Sequence, residues 1–335
     1  MKINRQEFLG KLKSILSGVS KTETLEQSNC FVFSDNMITA FNGEVFAATE
    51  FQFDNEFAVN ANDIVQLLSR IPDEEIAMVY KDSQLIISGK KKRAGLVTQQ
   101  EILLPIDTVP RPEKMRIAKK DFLKNLQMAA KICATTNENH LISHVHVTPN
   151  IIESTDRYRF LRIQMDTGAK EMLIPATAIL SVNSMHVTHI ELVKNWLFLK
   201  NQDKKIMIAV CCGEGEYFKS EMLESVCAIK NANTIQLPEE VGKMIDRSSV
   251  MTENSMEKEA QIVIDSSSIT IKTQKESGWY EEKQKIKYEG EEIKMTVNLS
   301  LLKDILSKTN KAIIGDGKIK MEEDNMEFVV SLEKK

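Results

Sequence analysis

Hydrophobic positions along the chain recur in one motif, in which a β-branched residue is followed by aliphatic residues five and eight positions later. The copies begin at Val59, Ile174 and Val297. In each copy the β-branched residue is followed directly by an Asn or a Pro, residue types that commonly begin helices; these are Asn60, Pro175 and Asn298. The spacing of the two aliphatic residues that follow is typical of an amphipathic helix. The motif therefore predicts three strand-to-helix transitions, 115 and 123 residues apart.

A second motif recurs in phase with the first and opens each third of the chain. It runs from Ile3 in the first copy and from Ile117 in the second, each leading to a Phe-Leu pair, and more loosely from Ile235 in the third. Repetition at a near-constant period determines the architecture, so we predict three copies of one unit that holds two helices and several strands. The predicted domains are residues 1–111, 112–230 and 231–335.

Apolar strands and polar turns fill the chain between the helices. Three hairpins are predicted, within residues 75–88, 189–199 and 312–321. Two segments are predicted as linkers, namely 108–113, which holds two prolines, and 228–234, which is short and polar. Helices on one side of antiparallel sheets give an α+β fold class. The predicted helices span residues 5–21, 60–71, 118–133, 175–186, 238–248 and 298–309.

Basic residues are concentrated in the predicted helices although the whole chain has a net charge of −4. These helices hold 13 Lys and Arg against 7 Asp and Glu, which leaves the rest of the chain at −10. In the third helix, Phe122 and Leu126 lie on the apolar stripe, and Lys120 and Lys124 lie on the opposite face. We expect one helix face to pack on a sheet and the other to present ammonium groups outward.

Composition and termini indicate a cytoplasmic globular protein. The five cysteines show no metal-ligand spacing and are interpreted as reduced thiols. The sequence Met-Lys-Ile-Asn-Arg at the N-terminus lacks the apolar run of a signal peptide. The longest uncharged stretch, residues 172–190, contains Asn, Pro and His residues and is too polar for a membrane span.

Two candidate chemical sites can be weighed against simpler interpretations. Asp166-Thr-Gly168 matches an aspartic-protease triplet, but that chemistry needs a second carboxylate and no second triplet exists, so a turn is the favoured interpretation. His140, His144 and His146 could bind a metal, yet no carboxylate or Cys stands at matching spacing. No phosphate-binding Gly loop or nucleophile elbow is present. We predict no catalytic site, cofactor or metal.

Three sequence segments resemble those of the bacterial DNA sliding clamp, the beta subunit of DNA polymerase III. Ser154-Thr-Asp-Arg-Tyr-Arg-Phe160 is similar to the family's Ala-Thr-Asp-Gly-His-Arg-Leu. Residues 297–306 are similar to its Phe-Asn-x-x-Tyr-x-x-Asp-x-Leu, and Gly278-Trp-Tyr-Glu-Glu282 to its Gly-x-Ala-x-Glu. Together with the repeats, the resemblance covers the whole chain. The chain differs from the family where Arg157-Tyr158 replaces Gly-His and where Leu301 replaces Tyr.

The resemblance implies a DNA clamp fold of three repeated domains, each with two inner helices and outer antiparallel sheets. Two copies would close head to tail into a ring. The function implied is that of a processivity factor, without enzymatic activity, that encircles duplex DNA. It would tether DNA polymerase and other replication and repair proteins, and a clamp loader ATPase would open the ring. A virus or mobile element is a source that would account for the divergence of this copy.

The resemblance also implies three sets of site residues. Lysines near phosphates attract duplex DNA without reading its sequence, and the candidate DNA-binding residues are Lys11, Lys13, Arg70, Lys120, Lys124, Lys131, His140, Lys243, Arg247 and Lys303. The candidate peptide-binding residues are Leu141, Thr155, Arg157, Tyr158, Arg159, Phe160, Val226, Asn298, Leu301, Val329, Val330 and Leu332. The candidate dimer-interface residues are Ala94, Leu96, Val250 and Met251.

One alternative retains the fold and changes the function. Ala94 and Leu96 form a thinner apolar surface than the family's interface has. A clamp-folded adaptor that binds peptides but does not encircle DNA would need no such interface. A hydrolase that uses Asp166 is the second alternative.

Overall fold

The computed structural model divides the chain into two compact units. Unit 1 comprises Met1–Gln127 and Thr167–Glu214, and unit 2 comprises Met128–Asp166 and Gly215–Lys335. This division does not test the three predicted domain boundaries, which stay a prediction. The structure describes residues 1–134, 139–182, 185–230, 232–252, 259–299, 306 and 309–331.

Helices are short and few in the described part of the chain, and none of them has the length and apolar character that crossing a bilayer requires. Two 3₁₀ turns, Leu16–Gly18 and Ile106–Thr108, accompany them. The α-helices are α1 (Arg5–Ser14), α2 (Ala61–Arg70), α3 (Phe122–Ala130), α4 (His140–Ser143), α5 (Ala176–Ser181), α6 (Ser220–Cys227) and α7 (Val241–Ser249).

Strands account for most of the regular secondary structure in the described residues. Those of unit 1 are β1 (Lys2–Asn4), β2 (Cys30–Ser34), β3 (Met37–Phe41), β4 (Val45–Glu50), β5 (Phe57–Asn60), β6 (Glu75–Lys81), β7 (Gln84–Ser88), β8 (Arg93–Gln99), β9 (Arg116–Ile117), β13 (Met172–Pro175), β14 (His189–Val193), β15 (Trp196–Asn201) and β16 (Ile206–Cys211). Those of unit 2 are β10 (His144–Val147), β11 (Ile151–Thr155), β12 (Arg159–Gln164), β17 (Asn233–Gln236), β18 (Glu259–Ile264), β19 (Ser268–Lys275), β20 (Gly278–Lys285), β21 (Ile293–Asn298), β22 (Lys311–Gly315), β23 (Lys318–Glu323) and β24 (Met326–Ser331).

The strand order repeats three times, as the sequence motifs predict. A short opening strand pairs with a later hairpin in the orders β1-β6-β7-β8, β9-β14-β15-β16 and β17-β22-β23-β24. A second arrangement occurs as β5-β2-β3-β4 and as β21-β18-β19-β20, and the strands β10, β11 and β12 follow the same order. All of these pairs are antiparallel. Separate helices and antiparallel sheets confirm the α+β class.

Two equivalent strand pairings join successive repeats. In unit 1, β4 pairs antiparallel with β16, so that Phe46 lies opposite Ala209. In unit 2, β12 pairs antiparallel with β24, so that Phe160 lies opposite Val329. In both cases the last strand of the second arrangement (β4 or β12) pairs with the last strand of the first arrangement (β16 or β24). The same joint is therefore built twice within one chain.

Helix starts follow the predicted motif where the structure describes it. The side chain of Asn4 accepts a hydrogen bond from the Glu7 N–H at 3.0 Å, and Asn60 accepts from the Asp63 N–H at 3.1 Å. These caps satisfy a backbone donor that a helix start leaves unpaired. Pro175 precedes α5 without a side-chain cap. The helix predicted after Asn298 lies largely outside the described residues.

The predicted helix 5–21 is too long, because α1 ends at Ser14 and a 3₁₀ turn follows. A Cβ added to Gly18 would lie 2.6 Å from the carbonyl oxygen of Ala40. The chain therefore passes against β3 at a distance that only glycine allows. The apolar stripe continues through this turn, with Ile15 fully buried. The hydrophobic pattern therefore extends beyond the end of α1 because residues after the helix are also buried.

The hairpins match their predictions closely. Asp82 and Ser83, between β6 and β7, both have positive φ, and so do Asp316 and Gly317, between β22 and β23. Two consecutive residues of this kind form the tight turn whose twist suits antiparallel strands. The turn residues therefore determine the register of both hairpins.

The first predicted linker is partly core. Val109 of this segment, and Leu104 just before it, are buried in a cluster with Phe46 and Trp196. The segment thus covers the face of β4 on which Phe46 lies. Prolines in this segment indicated an extended connector, but its apolar residues pack on the sheet.

Candidate functional site

Unit 2 contains a cavity of about 240 Å³ where β12 pairs with β24. Phe160 and Val329 face each other across that pair and form an apolar surface. Helix α6 supplies Leu223 and Val226 to the opposite side. The structure brings together these candidate peptide-binding residues: Thr155, Arg157, Tyr158, Arg159, Phe160, Val226 and Val329.

Helix α6 was not predicted from the sequence, and it carries two of the six cavity-lining residues that the sequence did not indicate, Met222 and Leu223. Leu223 and Cys227 are four residues apart and both buried, with Val226 beside them. That spacing is a helical signal, but the segment is short and lies next to a predicted linker. The missed lining residues are Ile142, Phe218, Met222, Leu223, Lys318 and Ser331.

Other candidates do not line this cavity or cannot be placed. Val330 lies between Val329 and Ser331, which both line the cavity, so strand alternation puts it on the other face. Ile142 of α4 lines the cavity in place of its neighbour Leu141. The side chain of Asn298, and the residues Leu301 and Leu332, lie outside the described part of the chain.

Lys318 ties β23 to the end of α6. Its Nζ donates to the carbonyl oxygens of Ser225, Val226 and Ala228 at 3.0, 3.1 and 3.4 Å. A cation at a helix C-terminus satisfies carbonyls that lack helical partners and interacts favourably with the helix dipole. The ammonium group therefore fixes the position of the helix that forms one cavity wall.

The loop between β11 and β12 forms the charged rim of the cavity. Asp156 Oδ1 accepts hydrogen bonds from the N–H groups of Tyr158 and Arg159 at 3.0 and 2.9 Å. The Asp156 carboxylate also pairs with the Arg159 guanidinium. Thr155 Oγ1 accepts from the Arg157 N–H at 3.1 Å, and Arg157 has φ +82°. The rim is thus a hydrogen-bonded turn in which Arg157 adopts a left-handed conformation.

A buried ionic network lies behind the apolar surface. Arg162 Nε donates to Glu153 Oε1 at 2.6 Å, and its Nη1 donates to Glu224 Oε1 of α6 at 2.7 Å. The Arg162 guanidinium lies 5.4 Å from the centre of the Phe160 ring. His146 Nδ1 is 3.2 Å from Glu153 Oε2. Arg162 therefore connects the strands beneath the cavity to the helix above it.

The pKa of Glu153 depends on this network. Burial acts to raise the pKa, but hydrogen bonds from His146 and Arg162 outweigh it, so the pKa lies below its usual value. A carboxyl with a lowered folded-state pKa stabilises the fold above the unfolded-state pKa, about 4.3 for Glu. That contribution is lost as pH falls through the folded-state value.

Replacement of Glu153 by Gln is therefore expected to destabilise the protein at pH 7 and to matter less in acid. Urea midpoints of wild type and Glu153→Gln should differ most at neutral pH and converge below about pH 4. A constant difference between pH 7 and pH 3 would show that the Glu153 charge has no stabilising role. Glu113→Gln, in the first predicted linker, is the control for loss of an exposed charge.

The candidate DNA-binding residues fall into groups with different surroundings. Lys120 and Lys124 are exposed beside α3, where they line a cavity of about 590 Å³ in unit 1 with residues 185–189. Lys243 is paired with Glu240 at 2.7 Å. Three more are exposed, namely Lys13, Arg70 and Lys131, as is His140. Lys303 lies outside the described residues.

Two of the other cations are engaged within the chain. Lys11 Nζ donates to the Glu50 carbonyl oxygen at 3.2 Å. Arg247 makes two hydrogen bonds to the Glu282 carboxylate, and Tyr280 donates to the same carboxylate at 2.6 Å. These hydrogen bonds hold the pKa of Glu282 down at about 2. A neutralised pair attracts phosphate less strongly than a free guanidinium.

The candidate interface residues lie on two elements. Ala94 and Leu96 are half-buried neighbours on one face of β8. Val250, directly after α7, is 55% exposed, and Met251 is half-buried. Trp279 of β20 and Val97 of β8 are more exposed than these candidates, at 71% and 77%. In the sequence, Trp279 stands out only as part of the Gly278-Trp-Tyr-Glu-Glu282 motif.

The alternative chemical sites gain no support from the geometry. Gly168 has φ +61° in the segment after β12, which fits the turn predicted for Asp166-Thr-Gly168. His146 stacks on Tyr217 with ring centres 4.3 Å apart. No group of three or more potential metal ligands occurs in the residues that the structure describes. All five cysteines are free.

The strand order, the capped helix starts and the cavity beside β12 and β24 together define a DNA sliding clamp fold. No protein-family model matches the sequence, and no curated protein matches it. Solved structures do match. The Pseudomonas aeruginosa DNA polymerase sliding clamp has a TM-score of 0.72 at 15% identity, over 100% of this chain and 99% of the clamp.

Two further bacterial structures agree with this assignment. The Bacillus subtilis DNA polymerase sliding clamp has a TM-score of 0.73 at 14% identity, over 100% of this chain and 98% of that one. The Streptococcus pneumoniae DNA polymerase III beta chain has a TM-score of 0.74 at 14% identity, over 100% and 99%. The predicted resemblance and clamp fold are confirmed. The identity is low, so the likeness establishes the fold alone.

Proposed function

We propose that the chain is a DNA polymerase processivity factor, which closes into a ring of two copies around duplex DNA. The observation that carries the proposal is the match of its full length to bacterial sliding clamps. A ring holds DNA by topology, so it requires no catalytic residues. The cavity beside Phe160 would bind segments of a polymerase and of other replication and repair proteins. A clamp loader ATPase would open the ring.

The two joints within the chain suggest how the ring closes. β4 adds to β16 and β12 adds to β24. In the third repeat the counterpart of β4 and β12 is β20, which pairs only with β19 among the described strands. The counterpart of β16 and β24 is β8, whose residues 93–97 pair with β7 on one side and whose Thr98 and Gln99 pair with β5. Pairing of β20 with β8 of a second copy would repeat the joint and cover both edges.

Trp279 supports this third joint. It is the second residue of β20, as Phe46 is of β4 and Phe160 is of β12. Phe46 and Phe160 are buried at their joints, at 9% and 2% exposure, whereas Trp279 is 71% exposed. On β8, Val97 is exposed on the face opposite to Leu96. If β8 of a second copy paired with β20, Trp279 of one copy and Val97 of the other would be buried together.

The lysines beside α3 are expected to hold DNA weakly and without sequence preference. Lys120 and Lys124 have no hydrogen bond or ion pair with other described residues, so their charges are available to phosphates. Replacing both with Gln should weaken DNA retention and reduce the slope of log affinity against log salt, by about 1 for each phosphate that is no longer neutralised. Retention measured between about 50 and 200 mM salt, a range over which the Debye length falls about twofold, tests this.

The control for that experiment is a pair with the same change of charge. Lys90 and Lys91 lie in the exposed loop between β7 and β8. The variant with both replaced by Gln should retain the wild-type salt slope. Equal salt slopes for all three proteins would show that Lys120 and Lys124 are not part of the DNA-binding surface.

Topology distinguishes a ring from an ordinary DNA-binding protein. The chain is loaded on a nicked circular plasmid, separated by gel filtration, and measured again after one restriction cut. We expect retention on the circle and loss from the linear form, because a ring slides off free ends. Equal retention on both forms would show binding to a groove or to the phosphate backbone.

A peptide-binding adaptor that does not encircle DNA is the alternative. The ion pairs of Lys243 with Glu240 and of Arg247 with Glu282 favour it, because they reduce the positive charge available to DNA. An adaptor would bind peptides in the cavity and show no retention on circular DNA.

A further inference from the structure

The strand pairings within the chain indicate which residues would face each other where β8 meets β20 of a second copy. At both internal joints, the second residue of β4 or of β12 is a phenylalanine, which lies opposite Ala209 or Val329. Ala209 and Val329 each pair with the third residue of the preceding strand in their hairpin. In the hairpin of β7 and β8, that position belongs to Gly95. The same register would therefore place Trp279 opposite Gly95.

Side-chain sizes agree with this register. The internal joints pair a phenylalanine with Ala or Val, whereas the larger Trp279 would face Gly95, which has no side chain. A large aromatic ring can cover the backbone that a glycine leaves exposed at a sheet edge. Gly95 and Val97 are exposed neighbours on one face of β8, and Trp279 is exposed on β20. The register therefore matches the largest side chain to the residue without one.

Two residues beyond the aromatic position, the joint of unit 2 contains three charges in a row. Arg162 of β12 lies between Glu153 of β11 and Glu327 of β24 and is in register with both. Its guanidinium is 2.6 Å from the Glu153 carboxylate and 3.6 Å from the Glu327 carboxylate. The corresponding three positions of unit 1 are uncharged. A charged row is thus a property of one internal joint and not of the other.

The proposed joint between copies would have the same row with the signs reversed. Glu281 is two residues after Trp279 and lies opposite Lys272 of β19, whose Nζ is 2.8 Å from Glu281 Oε2. Arg93 is two residues before Gly95, so it would lie opposite Glu281 on the other side. The Arg93 guanidinium has no hydrogen bond or ion pair with another residue in the part of the chain that the structure describes. The row would read plus, minus, plus, where that of unit 2 reads minus, plus, minus.

We propose that Arg93 and Glu281 pair across the joint and select β20 as the partner of β8 when two copies assemble. The inference rests on the proposed function, in which these two strands meet in the ring. Opposite charges that face each other across an antiparallel strand pair stabilise it, and like charges destabilise it.

The reversed signs also disfavour wrong pairings among the repeated strands. Because β8 and β24 are counterparts, each could add to the partner strand of the other. Addition of β8 to β12 of another copy would place Arg93 opposite Arg162. Addition of β24 to β20 would place Glu327 opposite Glu281. Both contacts join like charges, so the sign of each row selects one strand pairing over the other.

Charge reversal tests the pairing in the full chain, with dimerisation followed by light scattering over a concentration series. Arg93→Glu and Glu281→Arg should each raise the dimer dissociation constant by about tenfold or more, because like charges then meet at both interfaces. An equimolar mixture of the two single variants should recover most of the wild-type affinity, because opposite charges meet at both interfaces of the mixed dimer. Neither protein alone has that option.

A triple variant accounts for the contact of Glu281 with its own sheet. Arg93→Glu, Glu281→Arg and Lys272→Glu together give the row of signs found in unit 2, so this variant should dimerise with nearly wild-type affinity. Arg111→Glu and Glu113→Arg are the matched controls, since they reverse exposed charges in the first predicted linker and should leave dimerisation unchanged. Urea transitions establish that each variant is folded.

Three results would overturn the inference. Wild-type affinity of either single variant would show that the two charges do not meet. Failure of both the mixture and the triple variant to recover dimerisation would show that the substitutions act through damage and not through charge pairing. In both of these cases a dimeric wild type would leave the ring intact. A wild type that stays monomeric throughout the concentration series would overturn the ring and this inference with it.

Discussion

A Trp279→Asp variant is expected to fold normally as a monomer that is not retained on circular DNA, because it never encloses the duplex. Trp279 is largely exposed in a single copy, so its replacement should leave the fold intact. In the ring it would be buried against β8 of the partner. Loss of that burial and introduction of a charge should cost about 3 kcal/mol or more at each interface. A ring of two copies contains the interface twice, so the effect doubles.

Light scattering across a concentration series measures the effect. Wild type should have the mass of two copies at micromolar concentration, and Trp279→Asp the mass of one. Tyr158→Asp is the matched control, because Tyr158 is also an exposed aromatic residue of unit 2, at 73%, but lies at the cavity rim. A dimeric Trp279→Asp protein would exclude β20 from the interface. A monomeric wild type would favour the adaptor.

An Arg162→Met variant is expected to lose about 3–5 kcal/mol of folding free energy. The side chains of Arg162 and Glu153 are only 7% and 5% exposed. Without the guanidinium, the Glu153 carboxylate stays buried with only His146 nearby. Glu224, 2.7 Å from Arg162, also loses its partner, and Glu327, 3.6 Å from Arg162, keeps its ion pair with Lys320. The transition of unit 2 in urea should move to lower denaturant, and peptide binding should weaken because α6 is no longer held.

Two further variants separate the cause from general damage. Arg111→Met changes an exposed arginine and should stay within about 0.5 kcal/mol of wild type. A double variant with Glu153→Leu and Arg162→Met removes both buried charges, so it should recover much of the stability that Arg162→Met forfeits. A double variant no more stable than Arg162→Met would show that the effect comes from packing and not from an unpaired carboxylate.

The repeated architecture could be predicted because it depends on local signals. Asn60 caps a helix in the structure as its position in the motif indicated, and the turn at Asp82 and Ser83 adopts the conformation that a tight hairpin needs. Helix lengths were less predictable. The stripe that continues through Ile15 reflects burial in the core, and the close approach of Gly18 to Ala40 depends on the folded chain.

The candidate site was only partly accessible to sequence reasoning. The strand that carries Phe160 could be placed through its resemblance to a clamp segment, but its partner across the joint is Val329, about half the chain away in sequence. Helix α6 is shorter than the patterns that give a reliable periodicity. Lys318 donates hydrogen bonds to carbonyl oxygens at the end of that helix. This contact depends on distances in the folded chain, so the sequence does not indicate it.

Particle images of the protein on DNA would show whether the chain encircles the duplex. A short duplex is blocked at both ends with a bulky protein after the chain has been added, and the complexes are imaged by electron cryomicroscopy. We expect two copies that form a closed ring with the duplex through its centre, and Lys120 and Lys124 facing the phosphates. Single copies or open crescents attached to the side of the duplex would rule out a ring around DNA.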